Sequence, residues 1–204
     1  MHNEKENKVS LLFSGGKDSS LTAFILAKFF KLELITITFG LLRNWKQARD
    51  VAKKLEFPFK KIKLDEKIIA EAAKIVVTDG YPANGLKFIH KKVLEEIAKK
   101  GFKIIADGLS RDDHTTTLFQ TEIGSFEDKF GVNYLQPLKG YSRKTIDLLA
   151  KKYFFFKEYK GESFPGAEYE FELREFIKKN YGDQKIKTIF PKYHTHSIVT
   201  GIRS

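Results

Sequence analysis

Ser14, Gly15, Gly16, Lys17, Asp18 and Ser19 place in six consecutive positions the groups that hold a phosphate. Two adjacent glycines let the backbone turn tightly and approach an anion with no Cβ in the way. Amide N–H groups at the start of a following helix would face that anion, with the positive end of the helix dipole behind them. Ser14, Ser19 and Ser20 add hydroxyl donors, and Lys17 adds a cation. Asp18 would repel a phosphate by itself, so its presence makes sense as a Mg²⁺ ligand or as a helix N-cap. The plainer reading is a Gly-Gly turn capped by Asp and Ser. A Walker A loop is excluded, because Gly16-Lys17 is preceded five residues back by Leu11 and followed by Asp18. The dinucleotide pattern G-x-G-x-x-G fails as well.

A second polar loop runs Asp107-Gly108-Leu109-Ser110-Arg111-Asp112-Asp113-His114. Asp112 and Asp113 suit a cation, or a helix start favoured by the dipole. Arg111 suits the stabilisation of developing phosphate charge, or an ion pair with either neighbouring carboxylate. His114 is placed to meet a ligand.

Apolar runs at residues 9–13, 34–39, 59–64, 102–106 and 134–138 read as strands. Between them, helical spacing covers residues 18–30, 45–55, 67–77, 86–100 and 113–123, and a further helix capped by Ser142 runs to about Tyr153. In the first helix Leu21, Phe24, Ile25 and Phe29 share a face. Such alternation predicts an α/β fold, doubly wound, with a mostly parallel five-stranded sheet and helices on both faces. Ligands of such sheets sit at the carboxyl ends of strands, near a switch in strand order. Both polar loops directly follow strands.

The strand–SGGKDS–helix segment resembles the SGGxDS loop of the PP-loop ATP pyrophosphatases, the adenine nucleotide alpha-hydrolase-like group. The likeness extends over about residues 8–150. It implies that Ser14, Gly15, Gly16, Lys17, Asp18 and Ser19 bind ATP, and that Thr38 and Phe39, at the end of the second strand, frame adenine. It also implies that Gly108 lies near the nucleotide, that Asp18, Asp112 and Asp113 hold Mg²⁺, and that Lys17, Asp18 and Arg111 serve catalysis. The implied reaction cleaves ATP to AMP and pyrophosphate, adenylating a carboxylate, amide or nucleoside carbonyl oxygen. An amine, ammonia or a sulfur nucleophile then displaces AMP. The acceptor stays open between tRNA and a small molecule. A non-catalytic adenine-nucleotide-binding module, related in fold to the universal stress proteins, is the alternative.

The pattern changes beyond residue 153, which divides the chain into an ATP-binding domain at 1–153 and an extension at 154–204. Phe154-Phe155-Phe156 reads as core, or as a platform for bases. A helix is expected over 168–180 and one or two strands over 188–203. Phe164-Pro165-Gly166, with Arg174 downstream, reads first as a simple turn and is weakly similar to a Phe-Pro-Gly stretch of GMP synthetase. His194 and His196 would share a strand face, as surface residues or as contacts for substrate or metal. Since the family often builds its site across subunits, the extension could instead complete a neighbour's pocket in a homo-oligomer.

The chain of 204 residues has no cysteine, which removes disulfides, thiolate zinc sites and any thiol nucleophile or persulfide of its own. Its 37 Lys+Arg against 26 Asp+Glu give a net charge of +11, which suits a polyanionic partner such as tRNA and equally a heat-adapted surface. The first eight residues are polar and no apolar run reaches membrane-spanning length, so a cytoplasmic location is expected.

Overall fold

A computed structural model describes residues 8–113, 115–160, 166–190 and 195–203. Strands β1 (Lys8–Leu12), β2 (Lys31–Thr38), β3 (Phe59–Lys63), β4 (Ile104–Ala106) and β5 (Asn133–Leu135) form one sheet in the order β3-β2-β1-β4-β5. Every pairing in it is parallel. The chain winds outward from β1 to β3, then crosses back to place β4 on the other side of β1. The strand order therefore switches between β1 and β4.

Strand pleating sends alternate side chains to opposite faces. Val9, Leu11 and Phe13 pack with α1 (Lys17–Leu26), α2 (Trp45–Lys54) and α6 (Arg143–Tyr153). Leu12, Ile35, Ile37 and Ile105 pack with α3 (Glu66–Asp79), α4 (Ala83–Lys99) and α5 (Gln120–Phe130). The predicted fold class is thus the one observed.

The extension belongs to the same core. Strand β6 (Phe154–Lys160) pairs antiparallel with β7 (Thr195–Ile202), and α7 (Tyr169–Tyr181) and α8 (Asp183–Ile189) lie between them in sequence. Phe154, Phe171, Ile198 and Val199 join the α1 side, while Leu173, Ile177, Ile186 and Ile189 join the α3–α4 side.

Three local expectations need correction. Among the described residues no helix spans 113–123; α5 begins at Gln120, where Glu122 accepts from the Phe119 amide at 2.8 Å. Phe29 is not on the buried face of α1, because that helix ends at Leu26 and leaves Phe29 70% exposed. Of the three phenylalanines only Phe154 is fully buried, since strand alternation turns Phe155 outward beneath the Arg203 guanidinium. Ser142 does cap α6, accepting from the Thr145 amide.

Candidate functional site at the sheet switch point

A cavity of about 280 Å³ opens over the carboxyl ends of β1 and β4. Ser14, Gly16, Lys17, Asp18 and Ser19 line one side, and Asp107, Gly108, Ser110, Asp112 and Asp113 line another. The extension closes it with Glu168, Tyr169, His196 and Ser197. The two loops singled out in the sequence therefore meet at the switch point, as doubly wound sheets prescribe.

Each loop glycine answers a close contact. Gly15 has φ +82°, and a Cβ on it would sit 3.2 Å from the Ala48 Cα of α2. A Cβ on Gly16 would come within 3.3 Å of the Ser197 carbonyl oxygen. Gly15 therefore accommodates α2, and it is Gly16 that borders the cavity. A Cβ on Gly108 would lie 3.0 Å from the Ser19 nitrogen, so Gly108 lets the second loop press against the start of α1.

The first α1 hydrogen bond runs from the Ser20 amide to the Gly16 carbonyl at 3.0 Å. The earlier amides have no partner within the helix. Lys17 N–H donates to Ser197 Oγ at 3.1 Å, which leaves the Asp18 and Ser19 amides as the helix-end donors of the loop. Lys17 Nζ is buried 3.6 Å from Asp18 Oδ1 and 3.4 Å from Asp147 Oδ1. Both of those oxygens are shielded and have no hydrogen bond among the described residues, while the Asp18 side chain as a whole stays 42% exposed. Burial raises the Asp18 pKa above its ordinary value. Lys17 opposes that shift, and Asp113, Glu168 and Asp147 add to it.

Other expected residues are differently placed. Arg111 is 62% exposed, pairs with Asp112 at 3.6 Å and does not line the cavity; Arg143 does. Asp112 Oδ2 accepts from the Arg143 amide at 2.7 Å, and Asp113 Oδ2 accepts from both Ser110 N and Ser110 Oγ. Thr38 and Phe39 stand outside the cavity, because the buried Glu172 of α7 takes Thr38 Oγ1 at 2.7 Å and Phe39 N at 3.0 Å. A carboxylate of this chain occupies the strand edge expected to frame adenine. His196 is buried at the cavity wall, Nδ1 3.2 Å from Glu168 Oε2 and its ring against Phe171. Arg174 pairs with Glu170 and stacks on Phe190. His114, Phe164, Pro165 and His194 lie outside the described residues.

Sequence reasoning missed a buried polar cluster on the cavity floor. Asp107 Oδ2 accepts from the Tyr134 hydroxyl and lies 3.1 Å from His90 Nε2. Its Oδ1 accepts from Leu109 N at 3.1 Å and from Gln136 Nε2 at 3.3 Å. Burial first, then the Asp107 charge, pushes the Tyr134 and Tyr169 phenols well above their ordinary value, so both remain protonated. The available signal was His90 on the apolar stripe of α4, one residue after Ile89 and three before Val93.

The family model of DUF7411, a family of unknown function, matches residues 7–201. The chain belongs to that family. An uncharacterized protein of Methanocaldococcus jannaschii is 40% identical over 196 residues, covering 96% of each chain. A crystal structure described as that of a predicted subunit of tRNA methyltransferase from the same organism superposes with TM-score 0.89 at 39% identity, covering 97% of this chain and 98% of the other. The DUF7411 architecture here is therefore shared along almost its whole length with a solved relative. Among the described residues, no helix is long and apolar enough to cross a membrane.

Proposed function

We propose that this protein is a PP-loop ATP pyrophosphatase that binds ATP at residues 14–19, splits it between the α and β phosphorus atoms, and adenylates an oxygen of a tRNA. The observation that carries the reading is the placement of the Ser14–Ser19 loop on a cavity at the switch point, with the Asp18 and Ser19 amides unengaged among the described residues. Such a reaction needs alignment of the acceptor oxygen and donors on the leaving pyrophosphate, with little covalent help from the protein. A tRNA acceptor is supported by the +11 charge and by the tRNA-related description of the solved relative.

Mg²⁺ fits in a restricted sense. Among the described residues no group of three His, Asp or Glu side chains is arranged to hold a metal by itself. Asp18 Oδ1 has no hydrogen-bond donor among the described residues, and Mg²⁺ commonly rests on one or two carboxylates plus phosphate oxygens and water. Asp18, with Asp113 beside it, would hold an ion that arrives with the nucleotide. That ion would supply neutralisation of charge on the departing pyrophosphate.

The alternative, a nucleotide-binding module without turnover, draws support from Lys17. Its ammonium lies between Asp18 and Asp147, and its amide is already taken by Ser197. The test is an incubation with α-labelled ATP, Mg²⁺, bulk tRNA and ammonium chloride, which supplies the nucleophile that releases AMP. Our reading expects AMP and pyrophosphate, formed faster with tRNA and abolished by Asp18→Ala. ADP as product would refute it, and saturable ATP binding without AMP would favour the module. Labelled S-adenosylmethionine run in parallel separates adenylation from methyl transfer.

A further inference from the structure

His90, Asp107 and Tyr169 line the same cavity as the loop at 14–19. The hydrogen bonds of the His90 cluster fix where the protons lie. The Tyr134 hydroxyl proton goes to Asp107, so the phenol oxygen is left as an acceptor. His90 Nε2, 2.9 Å from that oxygen and 3.1 Å from Asp107 Oδ2, meets only acceptors among the described residues and must carry a hydrogen. A neutral imidazole so arranged keeps its lone pair on Nδ1. A carboxylate orienting a histidine by one nitrogen while the other stays basic is the general arrangement of a proton acceptor.

The surroundings indicate what it accepts a proton from. Leu12, Ile35, Ile37 and Leu86 line the cavity and belong to the apolar core on the His90 side. The same lining carries the carboxyl groups of Asp107, Asp112, Asp113 and Glu168, which favour an amine over an anionic thiolate or persulfide. A thiolate or persulfide would bring no proton to be removed, whereas an amine must lose one as it forms its bond to carbon.

We propose that His90, oriented by Asp107 and Tyr134, takes the proton from an amine-class nucleophile that displaces AMP from the adenylated acceptor. The amine lone pair forms the C–N bond. One N–H proton passes to His90 Nδ1, and the C–O bond to AMP breaks with its electron pair leaving on the phosphate oxygen. The proposal rests on the AMP-forming reading above and adds the nucleophile class and its base. Asp107 and Tyr134 are positioning residues.

Two measurements decide it. In the full-length protein, nitrogen-15 NMR of labelled histidine, with His90 assigned through His90→Gln, should show hydrogen on Nε2 and a bare Nδ1. The opposite tautomer overturns the proposal. With bulk tRNA, ATP and ammonium chloride as the amine probe, His90→Gln should slow AMP release at least about a hundredfold more than it slows ATP–pyrophosphate exchange. Equal loss of both overturns the proton-accepting role and makes His90 structural. Exchange absent in the unsubstituted protein instead defeats the AMP-forming reading itself, and this proposal with it.

Discussion

Glu172 of α7 reaches across the molecule to Thr38 at the end of β2, its Oε1 accepting from Thr38 Oγ1 at 2.7 Å while Oε2 accepts from Phe39 N and Leu41 N at 3.0 Å each. The two residues are 134 apart in sequence, and both are buried. The extension is thereby fastened to the strand edge beside the cavity.

Removing that carboxylate leaves those donors unpaired. Glu172→Ala should lower stability by about 3 kcal/mol, given about 1–3 kcal/mol for an unsatisfied buried donor. Chemical denaturation measures it. A loss smaller than about 1 kcal/mol would mean that α7 is held chiefly by its apolar contacts.

Asp18 should trade stability for function. Its folded-state pKa lies above the ordinary 3.8, so the folded chain binds the proton more tightly than the unfolded chain does. That contribution is complete below pH 3.8 and is lost as pH rises through the raised value. Asp18→Asn, which cannot ionise, should therefore raise Tm at pH 7, with the gain shrinking as pH falls toward 3.8. The same variant should lose ATP cleavage. An unchanged or lower Tm at neutral pH would contradict the burial of this charge.

Gly108 and Gly85 form a matched pair of probes. A methyl at Gly108 meets the backbone of Ser19 and Asp18 at 3.0–3.2 Å, whereas one at Gly85 meets Val76 Cγ2 at 2.3 Å in the α3–α4 contact. Both Gly→Ala changes should destabilise by about 1–3 kcal/mol through overpacking. Only Gly108→Ala should weaken nucleotide binding tenfold or more by calorimetry. Equal effects on affinity would remove the second loop from the site.

Much of this was legible in the chain because strand and phosphate-loop signals are local. The LITITF run and the glycine pair both lie where the structure places β2 and the turn into α1. The helix expected at 113–123 failed for identifiable reasons. Asp113 is spent on Ser110, and the true helix start at Phe119 carries none of the usual capping side chains. The positions of Arg111, Thr38 and Glu172 depend on tertiary packing across more than a hundred residues in the last case. His90 lies within the helix expected over 86–100, and only the folding of β4 and β5 brings Asp107 and Tyr134 beside it.

The central claim is that the amides at the start of α1 hold the phosphates of ATP. Backbone amide NMR during titration with Mg²⁺ and α,β-methylene ATP, which cannot be cleaved at the proposed bond, tests it most directly. We predict saturable shifts largest at Gly16, Asp18 and Ser19, with smaller ones at Gly108 and His196. Saturation that leaves residues 14–19 unmoved, or shifts confined to another surface, would contradict the account.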